Sequence, residues 1–113
     1  MNIYNQTKNL SLPFDIEKAG SFYSRFLGLM FRKNIAKNKA LLLYPGNMIH
    51  TCFMRFPIDA AFISKKGEVL EIKENMKPWS FSKMYMGSFF VLETIGGVMS
   101  KFVSKGDKLL FLE

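Results

Sequence analysis

The chain has 113 residues, 49% apolar and 22% charged, which suffices for one packed core and excludes a disordered segment. A single cysteine, Cys52, excludes an internal disulfide, so packing alone must hold the fold. The net charge of +7 admits a basic surface for nucleic acid or an anionic membrane. The lysines are scattered, with Lys33, Lys37 and Lys39 the densest run, and nucleic acid is not the expected partner.

The N-terminal stretch has no basic segment followed by an apolar one, so no signal peptide is read, and a cytoplasmic location is expected. No apolar run approaches the roughly 20 residues of a membrane-spanning helix. Residues 2–5 and 9–13 read as short strands around the turn-prone NQTKN. After Ser21, a plausible N-cap, Phe22, Phe26, Leu29 and Met30 fall at helical spacing and predict an N-terminal helix. Gly28 lies inside that pattern, where it either ends the helix or permits close packing.

From Lys39 onward the pattern is mostly β. ALLLY is a short apolar run closed by Pro45-Gly46, and residues 48–54 and 58–63 read as two strands joined by a turn at Arg55–Pro57. SKKG predicts a hairpin turn before EVLEIK. Residues 78–87 read as loop with room for one edge strand, FFVLETI as a strand, and VMSKFV as compatible with a short second helix. KGDKLLFLE closes with a turn and a final strand. These elements predict an α+β, mostly β fold: a compact, barrel-like antiparallel or mixed sheet in one domain over residues 1–113.

The stretch NMIHTCFMRFPIDAAFI concentrates the reactive side chains. If residues 48–54 form a strand, His50, Cys52 and Met54 share one face, a soft set of the kind copper favours. Zinc wants three or four ligands at recognisable spacing, and the chain has no second His or Cys, so no metal and no cofactor is expected. A Cys52–His50 catalytic pair is disfavoured, because residues two apart on a strand face lie about 7 Å apart. Pairing Met54 with Asp59 across the turn puts the carboxylate on the His50 face; pairing Met54 with Ile58 puts it on the other, and both registers stay open. Arg55 and Asp59, flanking the turn, fit either a structural clamp or a ligand-binding pair. Glu93, inside an apolar strand, needs a partner or an outward face.

GLMFRK (28–33), MIHTCFMRFPIDAAFI (48–63), GEVLEI (67–72), MKPW (76–79), VLE (91–93) and KGDKL (105–109) occur in order. The ordered set, over roughly residues 3–112, resembles the family called domain of unknown function 192, a group of small prokaryotic domains. The family pattern falls on Gly28, Leu29, Met30 and Arg32. It continues on His50, Thr51, Met54, Arg55, Pro57, Ile58 and Asp59, then on Gly67, Pro78, Trp79, Glu93, Gly106 and Asp107. Where relatives often place a large aromatic or aliphatic residue, this chain has Cys52, which marks the cysteine as a packing substitution. The resemblance implies a compact, mostly β domain with a helix near the N-terminus, and no particular activity.

Three functions follow as expectations. The first is a non-catalytic binding or accessory domain, taking a small-molecule, peptide or protein partner at the 50–59 hairpin through His50, Thr51, Arg55 and Asp59, with Trp79 as an aromatic wall. The second is an enzyme with His50 and Asp59 as catalytic candidates, His50 as acid–base, and Arg55 holding an anionic substrate. The third is a basic surface for nucleic acid or anionic membrane. Oligomeric state is not written in the sequence.

Overall fold

In the computed structural model, which describes residues 1–21, 24, 25 and 28–113, almost all regular structure is β. The strands are β1 (Asn2–Asn5), β2 (Leu10–Ser11), β3 (Asp15–Ala19), β4 (Lys39–Leu43), β5 (Ile58–Ser64), β6 (Val69–Met76), β7 (Ser88–Ile95) and β8 (Leu109–Leu112). A single 3-10 turn covers Met99–Lys101, within the VMSKFV segment read as a short helical turn. β2-β1-β8 form one sheet and β3-β4-β7-β5-β6 the other; β3 runs parallel to β4 and the other pairs are antiparallel.

Sequence explains this order. IDAAFI is buried on both faces, as an interior strand must be, and it lies between β6 and β7. The two edges, DIEKA and VLEIKENM, carry the charges that keep open edges from pairing with other chains. Ile58, Ala60 and Phe62 enter one core with Leu41, Leu43 and Val91. Ala61 and Ile63 enter the other with Ala40, Leu42, Leu92 and Met99. The five-stranded sheet therefore has an apolar layer on each face.

Three expectations are corrected. Neither sheet closes into a barrel, and the α+β assignment gives way to an almost all-β fold. The N-terminal helix is also overturned: among the described residues no helix reaches seven residues. Ser21 does cap a turn, its Oγ accepting from the Ser24 N–H at 3.0 Å. Gly28 (φ 47°) and Phe31 (φ 66°) then take the left-handed region, which a continuing right-handed helix cannot contain. Phe22 and Phe26, half of the expected apolar stripe, lie outside the described residues.

The third correction concerns residues 48–54. They form no strand with β5, whose neighbours are β6 and β7. They run instead beside residues 79–85 as an irregular ribbon. Its backbone bonds are Tyr85 N–H to Asn47 O, Ser82 N–H to Ile49 O, Thr51 N–H to Ser80 O and Trp79 N–H to Thr51 O, all 2.8–2.9 Å. Phe53, at φ 64°, breaks the alternation on which a common His50, Cys52 and Met54 face depended.

Candidate functional site

The residues singled out in the 50–59 stretch separate in space. Thr51 is fully buried, and its Oγ1 donates to Lys77 O at 2.6 Å and accepts from the Ser80 N–H at 2.8 Å. It ties the 77–80 loop to the ribbon. Asp59 is also fully buried and faces away from Glu93, since it pairs with Thr94 while Glu93 pairs with Ala60. Its carboxylate accepts from the N–H groups of Asn75 (2.8 Å), Gly97 (2.9 Å) and Met99 (3.0 Å). One carboxylate thus anchors β6, the glycine turn and the 3-10 turn, and among the described residues it makes no ion pair with the exposed Arg55.

His50 is half-buried, and its Nδ1 accepts from the Cys52 N–H at 3.1 Å, which leaves the proton of the neutral ring on Nε2. Trp79 is exposed and packs on Phe53 with ring centroids 4.6 Å apart. Of the five predicted ligand-binding residues, only His50 lines the cleft beside Glu93.

That cleft, about 300 Å³, lies between Arg25, the turn that begins at Gly28, the 45–50 segment and β7. Its polar lining includes Arg25, Asn47, His50 and Glu93; Met30, Met48 and Met54 supply thioethers. Arg25 spans one side, donating from Nη1 to Pro45 O at 3.1 Å. Glu93 sits opposite Leu41 on β4 and Ala60 on β5, within the core that Leu41, Ala60 and Val91 share. It is 2% exposed, and its Oε1 has no hydrogen-bond partner among the described residues. Loss of hydration pushes its pKa up to about 8, and the charge of Arg32 offsets only part of that shift. Glu93 is therefore largely protonated at neutral pH, a carboxyl donor lining a cleft.

The sequence carried the signal for this residue, an acid inside FFVLETI, without saying which strands would enclose it. Met30 and Met48 had no chemical signal of their own and enter the lining through the turn at Gly28 and the ribbon. Asp107, like Asp59, is a buried carboxylate with a structural part. Asp107 accepts at Oδ2 from Lys8 Nζ (2.7 Å), Asn5 Nδ2 (2.8 Å) and the Ser104 N–H (2.9 Å). Burial alone would raise its pKa, but the bonds from Lys8, Asn5 and Ser104, with the Lys8 charge, bring it below the usual carboxylate value.

Comparison with known proteins follows the same outline. A UPF0127 protein of Pyrococcus furiosus is 31% identical over 93% of both chains. A solved protein of unknown function from Novosphingobium aromaticivorans superposes with a TM-score of 0.83 at 20% identity, covering 97% of this chain and 82% of its own. A putative transcription regulator from Sinorhizobium meliloti gives 0.81 at 26% identity, covering 96% and 89%. The profile of domain of unknown function 192, described as "Uncharacterized ACR", matches residues 3–111, and the chain belongs to that family.

Proposed function

We propose that residues 1–113 form one small-ligand-binding domain whose recognition centre is the Glu93 cleft. The 50–59 stretch contributes only His50 and Met54. The observation that carries this reading is the buried Glu93 carboxyl, whose Oε1 has no hydrogen-bond partner among the described residues, beside a cleft of about 300 Å³. A fold that keeps a carboxyl out of water without a partner sacrifices stability, which is a frequent mark of a working site.

The ligand class follows from the lining. Protonated Glu93, the Nε2–H of His50 and the guanidinium of Arg25 are all donors, so the cleft suits a small anionic, acceptor-rich molecule such as a carboxylate. The methionine side chains suit its apolar part. The domain binds this ligand without turning it over. A cytoplasmic location belongs to the proposal; no helix among the described residues is long and apolar enough to cross a membrane.

The test is thermal unfolding against panels of small carboxylates and small amines at about pH 6 and pH 9. Stabilisation by a carboxylate at the lower pH, weakened at the higher one and lost in Glu93→Leu, supports the reading. Stabilisation by amines alone, strengthening as Glu93 ionises, refutes it and makes the cleft a cation site. Steady turnover of a bound carboxylate, abolished by His50→Ala, refutes the non-catalytic part.

A further inference from the structure

The positive charge is scattered in the sequence and segregated in the fold. Residues 28–39, 44–57 and 76–87 hold seven of the sixteen Lys and Arg residues and none of the nine Asp and Glu. The remaining nine cations and nine acids cancel, so the entire +7 belongs to these three segments. Among the described residues the same segments hold seven of the nine exposed large apolar side chains: Phe31, Met48, Phe53, Trp79, Phe81, Met84 and Met86.

The fold brings part of this set together. Residues 47–53 and 79–85 are the two sides of the hydrogen-bonded ribbon, and Phe31 joins it through its N–H to Phe53 O at 3.0 Å. The Phe31 and Phe53 rings are 5.2 Å apart, and Phe53 and Trp79 4.6 Å. All three residues have positive φ, a conformation that bulky side chains rarely adopt, yet the backbone holds their rings at the surface. Trp79 is 61% exposed, Phe81 71% and Met86 80%. Arg32 and Lys39 pair with Glu17 and Asp15 of β3, whereas Lys33, Arg55, Lys77 and Lys83 make no ion pair among the described residues. Each of these four lies within two residues of an exposed apolar side chain.

We propose that this ribbon, with Phe31 beside it, is a docking face for an anionic lipid bilayer. Trp and Phe belong at the headgroup level, methionines enter the acyl boundary, and lysines reach lipid phosphates on their long stems. Single-stranded nucleic acid fits less well. The rings of Phe31, Phe53 and Trp79 pack on one another, so base stacking would have to displace them, and three of the seven apolar groups are thioethers with no flat face. Self-association would press these cations against their own copies.

Trp79 is the chain's only tryptophan and reports directly on insertion. The protein is mixed with phosphatidylcholine vesicles with and without phosphatidylglycerol, and its emission, its quenching by brominated lipid and its co-sedimentation are measured. The expected result is a shift to shorter wavelength, quenching and co-sedimentation on the anionic vesicles only, with sedimentation falling as salt rises. Lys77→Gln and Lys83→Gln each weaken binding roughly fivefold. The double variant Met84→Ser/Met86→Ser weakens it roughly tenfold. These positions are exposed, and far-UV circular dichroism checks that each variant folds. Any of four results overturns the proposal: equal binding to neutral vesicles, binding without Trp79 quenching, tighter binding to a single-stranded oligonucleotide, or a dimer that hides Trp79.

Discussion

Replacing Glu93 by glutamine keeps the shape of the side chain and removes its titration, so it isolates the energetic consequence of the buried carboxyl. In the unfolded chain this group has the ordinary value of 4.5; in the fold burial pushes it up to about 8. Between those values the folded state holds a proton that the unfolded state has released, so stability falls as pH rises. The stabilising effect of a protonated Glu93 is complete below about pH 4.5 and is lost progressively toward pH 8, with no further change above. At about 1.36 kcal/mol per unit, the full interval corresponds to about 5 kcal/mol, and the span from about pH 5.5 to pH 8 to about 3 kcal/mol. A domain of this size has a total stability of about 5–15 kcal/mol, so the slope is readily measured. Urea unfolding followed by far-UV circular dichroism is the suitable assay, because the exposed Trp79 is a poor folding probe. The wild type loses stability across that window, the glutamine variant stays flat, and the curves separate toward alkaline pH with the variant the more stable. Parallel profiles for the two proteins would show that Glu93 is not protonated in the fold, and the donor reading of the cleft would go with it.

Asp59→Asn removes a charge that accepts three backbone N–H bonds, and a loss of about 2–4 kcal/mol is expected, with faster hydrogen exchange at Gly97 and Met99 as the local check. Thr51→Val leaves Lys77 O without its hydroxyl donor and the Ser80 N–H without its acceptor, a cost of about 1–3 kcal/mol in urea unfolding, accompanied by a change in Trp79 emission as the 77–80 loop loosens. For Asp107 the sign is opposite to that of Glu93. Its folded pKa is depressed, so its contribution is present above about pH 4 and lost as pH falls through the folded value, and the stability gap between wild type and Asp107→Asn should shrink in acid.

The strands were legible because their patterns are local. ALLLY, IDAAFI, FFVLETI and the closing LLFL each carry enough apolar character to be strands in any arrangement, and all four are. DIEKA was not legible: three of its five residues are charged, and it is a strand only because β4 offers it a parallel edge. The N-terminal helix failed for a related reason. The apolar spacing around Leu29 and Met30 is helical, but the left-handed Gly28 and Phe31 turn the chain so that Leu29 is buried in the core with Leu41 and Phe62 and Met30 lines the cleft. Residues 48–54 look like a strand and have a partner, yet that partner is the loop at 79–85. Periodicity along one segment cannot name its neighbour.

The same limit explains why the chemistry moved. A cluster in sequence suggested that His50, Thr51, Arg55 and Asp59 act together, but a buried Thr or Asp with every oxygen engaged is better evidence of a joint than of a site. The residues that differ from this are the ones the fold leaves energetically unfinished. Glu93 is buried with its Oε1 lacking a hydrogen-bond partner among the described residues, and the rings of Phe31, Phe53 and Trp79 are exposed on left-handed backbone. Both lower stability where a hydrophobic replacement or an inward turn would raise it, and both touch the ribbon, whose His50 and Met48 line the cleft while Phe53 and Trp79 face solvent. If the cleft and the apolar face work together, a bilayer on the ribbon would lie next to the cleft. A carboxylate that binds there should then bind more tightly on anionic vesicles than in solution, and vesicles should leave its affinity unchanged in the Met84→Ser/Met86→Ser protein.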